Sequence, residues 1–213
     1  MKALGGGVGK GLNGDKSSLF YEYLRIKGEI KNCDWLLENV KMKMASKLEL
    51  DKYLGTCGVL INSSLVSYQK RARYYWSSLP IVQPNDKNIS FQNHKQSLGL
   101  DEYIVNKTKS RVKMWGDGIG LNTKGSCANV TYSDKVYCLT TKQDRCPNSG
   151  LVAHKDFCRY LTRSELEGAQ TVPIDYTKCL SYGQASAVLG NGWTVDVIAH
   201  IFNYLKNKKQ LVA

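Results

Sequence analysis

With 213 residues and a formal charge of +12, from 30 Lys and Arg against 18 Asp and Glu, the chain is long enough to bury a real core and basic enough to favour a polyanionic partner, nucleic acid first. It shows no secretory signal and no apolar run of membrane length, so a reducing, cytoplasmic home without a membrane partner is expected. Seven cysteines without a C-x-x-C pair signal neither a zinc site nor a thioredoxin-type redox site, and no metal ligand is expected.

In chain order, residues 1–14 are glycine-rich and read as a loop. The run from Gly5 to Gly11 resembles a phosphate cradle, but a P-loop needs Ser or Thr after Lys10 and glycine at position 4, where Gly11 and Leu4 stand. Asp15 can cap a helix running to about Lys31, with Leu19, Tyr23, Ile26 and Ile30 as one buried stripe. Trp35-Leu36-Leu37 reads as a buried parallel strand ending in Glu38-Asn39. A second helix covers Ala45 to Leu54 and stops at Gly55. Gly58 to Ile61 reads as a strand, and Arg73-Tyr74-Tyr75-Trp76 is rich in aromatic strand formers. This alternation predicts an α/β sheet with crossover helices, in which ligands sit beyond the carboxyl ends of strands. Glu38 occupies such an end.

From Pro80 to about Lys135 apolar periodicity fades. Lys87, Lys95, Lys107, Lys109, Arg111 and Lys113 form a basic stretch with Tyr103 and Trp115 interleaved, a composition suited to phosphate contact and base reading, or to a solvated loop or small β insertion without a ligand. Residues 136–141 are predicted as a strand. Thr162 with Glu165 makes a capping box at a helix start. The last predicted helix spans about Trp193 to Lys206, with Val195, Ile198, Ile201, Phe202 and Leu205 on one face and Lys206, Lys208 and Lys209 complementing the dipole at its end.

Three motifs stand out in order: Glu38-Asn39-Val40, Gln69-Lys70-Arg71-Ala72-Arg73 and Gly190-Asn191-Gly192-Trp193. Together with Leu19 to Arg25 and with Leu161-Thr162, Glu165, Gln170 and Pro173, they resemble the cytosine-5 DNA methyltransferases, in particular phage and bacterial members and the de novo enzymes. The resemblance covers most of the chain. It implies the C-terminal part of a Rossmann-like, S-adenosylmethionine-dependent methyltransferase sheet with a small target-recognition insertion. The expected divisions are residues 1–80 as partial catalytic domain, 81–185 as target-recognition region and following segment, and 186–213 as a helix returning to the catalytic domain.

The implied activity transfers a methyl group from S-adenosylmethionine to C5 of a cytosine flipped out of double-stranded DNA, as in restriction-modification systems. The resemblance assigns Glu38 to the ring nitrogen, Arg73 to the cytosine carbonyl and Arg71 to ordering the site. A planar guanidinium suits that task, although two arginines alternating around Ala72 also fit an edge strand facing water. Asn39, Asn191, Gly192 and Trp193 are the expected cofactor residues. Gln69, Lys107, Lys109, Arg111 and Lys113 are the expected DNA contacts. Tyr137 stands where the family carries arginine before Cys-Leu-Thr-Thr.

The family's nucleophile is a cysteine in a Pro-Cys loop, and the sequence contains no Pro-Cys dipeptide; Cys146-Pro147 has the reverse order. Inactivity of the isolated chain is therefore expected, whether it is a split-enzyme subunit completed by an N-terminal methyltransferase chain, the product of a decayed gene or a truncated sequence. The other reading is a non-catalytic DNA-binding module on the same scaffold.

Overall fold

The first strand of the chain pairs antiparallel with the third. In a computed structural model that describes residues 18–106, 129–144, 148–155 and 157–210, strand β1 (Leu36–Val40) pairs with β3 (Ala72–Ser77), setting Glu38 opposite Tyr75 and Val40 opposite Arg73. With β2 (Val59–Asn62) the sheet has the order β1-β3-β2. The expected parallel strand at 35–37 is thus corrected in two ways. The strand runs on to Val40, placing Glu38 at its middle, and its partner runs the other way.

Two compact units interleave along the chain. One comprises Met1–Ile61, Ala72–Gln83 and Ile201–Ala213; the other comprises Asn62–Arg71 and Pro84–His200. Residues 62–71, grouped by sequence with the first segment, belong to the second unit.

In the first unit, alternation along β3 puts Tyr74 and Trp76 on one face. They pack with Leu50 and Leu54 of α2 (Met44–Leu54) and Phe20 of α1 (Ser18–Glu29). The indole N–H of Trp76 is satisfied by Asp51 Oδ1 at 2.7 Å, and Asp51 also holds Lys47 Nζ at 2.5 Å and the Gly58 N–H at 2.9 Å. Helix α2 ends as expected at Gly55, whose φ of 70° is the left-handed conformation that glycine adopts freely.

Helix α1 corrects the predicted stripe. Leu19, Ile26 and Ile30 are 73, 46 and 54 % exposed, whereas Phe20 is buried and Tyr23 and Leu24 pack against the core. The helix carries two apolar strips, and the one beginning at Phe20, about 100° round from Leu19, faces the sheet.

The second unit is built around Tyr68, Phe91, Val130, Val136, Leu139, Leu161, Leu166 and Leu189. A two-stranded ribbon, β4 (Val152–Ala153) and β5 (Cys158–Arg159), flanks a smaller cluster of Val105, Leu151, Cys158 and Tyr160. The predicted strand at 136–141 is absent. Only an isolated bridge between Gln69 and Val136 forms there, and the Leu139 N–H is satisfied by the Gln69 side chain instead of a ladder.

Helix α3 (Arg163–Ala169) starts at the predicted capping box, with both reciprocal bonds between Thr162 and Glu165 present. Helix α4 (Tyr182–Asn191) opens on a second box, Ser181 with Gln184. Helix α5 (Val195–Gln210) begins two residues later than predicted. Its Val197, Ile198 and Ile201 are buried, while Val195 and Phe202, assigned by sequence to the apolar face, are 45 and 39 % exposed. The side chains of Lys206, Lys208 and Lys209 lie outside the described residues.

Candidate functional site

Side chains directly opposite in an antiparallel pair share a face. Glu38 and Tyr75 therefore lie on one face of β1–β3 with Arg73, and Asn39 and Tyr74 lie on the other. Arg73 Nε stands 2.9 Å from Glu38 Oε1, the two side chains being 15 and 18 % exposed. The N–H is not aligned on that oxygen, and Oε1 accepts no aligned hydrogen bond although it is buried. Arg73 Nη1 donates to the Ala72 carbonyl at 3.0 Å. The pair thus joins a guanidinium to a carboxylate on one partly buried face of the strand pair, with Tyr75 as the register partner of Glu38. Asn39, on the opposite face, accepts from the Val40 N–H at 2.8 Å through its own Oδ1.

In the second unit, Arg71 is 5 % exposed and points at backbone carbonyls. Nη2 donates to the Gly192 carbonyl at 2.9 Å, and Nη1 makes longer contacts with the carbonyls of Gly190 at 3.3 Å and Leu139 at 3.4 Å and with Cys138 Sγ at 3.4 Å. Its strongest bond holds the turn between α4 and α5. Gly190 allows a close approach there: a Cβ at this position would stand 2.5 Å from the Thr140 carbonyl. Asn191 is exposed and Trp193 is 47 % exposed, so an amide and an indole face outward from a turn whose backbone is held from within.

Gln69, expected among the DNA contacts, is corrected. It is completely buried, and its amide donates to the Ala169 carbonyl at 2.9 Å and to Gln170 Oε1 at 3.1 Å. A side chain so enclosed holds the protein together and meets no outside ligand in this conformation. Lys107, Lys109, Arg111 and Lys113 lie outside the described residues, as do the glycine-rich start and Cys146-Pro147.

Other charges in this unit have structural partners. Lys135 Nζ donates to the carbonyls of Ser64, Ser67 and Ile89 at 2.7, 3.0 and 2.9 Å, and burial pushes its pKa down. Arg159 and Glu165, both fully buried, meet at 2.7 and 2.9 Å through two parallel bonds. His154, whose Nε2 faces Arg159 Nε at 3.4 Å, is held below the usual histidine range by burial and by that guanidinium. A cleft of about 310 Å³ is lined by Thr141, Lys142, Tyr182, Gly183 and Ser186 among others, and none of the sequence-predicted site residues lines it. Among the described residues no cluster of three or more His, Cys, Asp and Glu could hold a metal ion, and no helix is long and apolar enough to cross a membrane.

Two residues that hold the turn, Thr194 and Gln170, and the buried Arg159 elsewhere in this unit stand out only in the structure. Thr194 and Arg159 carry no local signal. Gln170, noted only as part of a motif, is a hub. Helix α4 did have one, since Ser181-x-x-Gln184 is a capping-box pattern.

No protein-family model matches the chain. Solved structures do resemble it. The S. pombe Dnmt2 methyltransferase superposes with a TM-score of 0.67 at 16 % identity, over 95 % of this chain and 74 % of that one. The Entamoeba histolytica methyltransferase EhMeth gives 0.66 at 16 % identity, over 90 % of this chain and 68 % of that one. The chain has the mixed α/β fold of these methyltransferases.

Proposed function

We propose that the chain is the C-terminal part of a cytosine-5 methyltransferase acting on double-stranded DNA. The observation that carries this reading is the Glu38–Arg73 pair, a partly buried carboxylate and guanidinium brought together on one face of a strand pair, in a chain with a methyltransferase fold. On a flipped cytosine, the Glu38 carboxyl shares a proton with the ring nitrogen next to the carbonyl, and the Arg73 guanidinium donates to the carbonyl oxygen. Both contacts withdraw electrons from the ring and ease addition of a thiolate at C6. Arg71 acts through the backbone it holds and not by touching the base.

The donor implied by the fold is S-adenosylmethionine, which supplies an electrophilic methyl group. The turn at Asn191, Gly192 and Trp193 fits such a ligand, because an exposed indole can pack against an adenine or a methionine tail. Asn39 belongs to the same proposal, although its side chain is turned to its own strand. On this reading the thiolate lies outside the given sequence, which holds no Pro-Cys. A complementing N-terminal methyltransferase chain in a bacterial or phage-infected cytoplasm is the proposed source.

The test measures transfer of labelled methyl from S-adenosylmethionine to cytosine-containing duplex DNA, by the chain with and without such a partner. Transfer dependent on the partner and abolished by Glu38→Gln is expected. Robust transfer by this chain without a partner overturns the division of labour. The non-catalytic reading gains ground if duplex DNA binds in a salt-sensitive way while calorimetry detects no S-adenosylmethionine binding.

A further inference from the structure

Gln170, at the end of α3, is 1 % exposed and uses its whole side-chain amide. Its Oε1 accepts from Thr194 Oγ1 at 2.9 Å and from Gln69 Nε2 at 3.1 Å. Its Nε2 donates to the Leu189 carbonyl and, at 3.2 Å, to the Gly192 carbonyl. Its own backbone carbonyl accepts from the Val195 N–H at 3.0 Å. Behind it, Gln69 is tied to Ala169 and Leu139, and Arg71 reaches the same Gly192 carbonyl from another direction.

These bonds converge on residues 189–195. That stretch runs from the last residues of α4 through Gly192, Trp193 and Thr194 to the first residue of α5, so the bonds fix how one helix passes into the next. An amide has two donors and an acceptor oxygen with two lone pairs, and Gln170 fills all four places. A buried polar network so fully satisfied specifies a single arrangement, because any other leaves a buried donor or acceptor without a partner. Asn191 and Trp193 make no part of the network. They are the side chains it leaves facing outward.

We propose that Gln170 and Thr194, backed by Gln69, are positioning residues that hold the Gly190–Trp193 turn in the one shape able to present its amide and indole to the methyl donor. The donor half of this statement rests on the function proposed above; the holding half does not.

The experiment uses the full chain labelled with 5-fluorotryptophan, the Trp193 fluorine line being assigned with Trp193→Phe. Thr194→Val keeps the shape of the side chain and removes one O–H donor. It is expected to shift and broaden the Trp193 line while leaving the other tryptophan lines in place. It is also expected to weaken S-adenosylmethionine binding by about tenfold in calorimetry, the loss of one buried hydrogen bond. Thr194→Ser is expected to restore both. Gln170→Leu should act in the same direction and more strongly, and if it does not fold, Thr194→Val carries the test. A Trp193 line unchanged in Thr194→Val overturns the holding role. If the line responds but the wild-type chain binds no donor, the donor assignment of the turn is overturned and the holding role stands.

Discussion

Arg73 reaches diagonally across the β1–β3 pair to Glu38 and not straight across to Val40, its register partner. Such diagonal neighbours on one face of an antiparallel pair are within reach of long side chains, so the contact needs no departure from the register. A double-mutant cycle of Glu38→Gln and Arg73→Gln, read by urea denaturation, should show a coupling of about 1–2 kcal/mol, as expected for a partly buried pair. Additive effects would mean that the pair is not formed in solution.

The exposed strip of α1 has a consequence for stability and for association. Ile26→Lys should change stability by less than about 0.5 kcal/mol, whereas Phe20→Ala should cost about 3 kcal/mol. With Met44 and Leu48 also exposed on α2, the wild-type chain should self-associate, and Leu19→Lys with Ile26→Lys should reduce this in sedimentation velocity. A monodisperse wild-type monomer at high concentration contradicts the expectation.

Gly190→Ala drives a methyl group into the Thr140 backbone, which cannot swing aside as a long side chain could. A loss of about 2 kcal/mol or more is expected in thermal or chemical melts. Gly183→Ala, where an added Cβ meets nothing within 4 Å, is the control and should be neutral or stabilising.

Glu165 closes the capping box of α3 and neutralises Arg159 in the interior. Glu165→Gln leaves a buried guanidinium without its counter-charge, and about 3–5 kcal/mol should be lost in equilibrium unfolding. A loss under 1 kcal/mol would show that water reaches Arg159.

His154 supplies a pH dependence. Its folded pKa is depressed below the ordinary 6.5, chiefly by burial and then by Arg159 and Lys95, with Glu165 opposing. A depressed folded value means that the unfolded chain takes up the proton first. The contribution of His154 to stability is therefore complete above about pH 6.5 and is lost as pH falls through the lower folded value. Melting temperature should fall over that window, and His154→Phe should flatten the fall. An unchanged slope in the variant would place the titration elsewhere.

Where the partners are near in sequence, the reading was good. Helix α2 with Gly55 and the Thr162–Glu165 box involve residues within a turn or two of each other, so propensity and capping chemistry suffice. The aromatic run at 73–76 is a strand because ring-bearing residues fit a half-buried pleat. The choice between the Leu19 and Phe20 strips of α1 was not legible, because periodicity measures the spacing of apolar residues and not the direction from which the sheet arrives. The orientation of β1 against β3 was equally hidden.

Composition and motif order thus determined an α/β chain of basic character and pointed to its methyltransferase fold. Local hydrogen bonding determined where several helices begin and end. Only tertiary structure decided that Glu38 and Asn39, adjacent in sequence, face opposite sides of a sheet, and that Arg71 turns to carbonyls 119 and 121 positions further along the chain. Such pairings are set when distant segments pack and each buried donor must find an acceptor, a condition that no short window of residues contains.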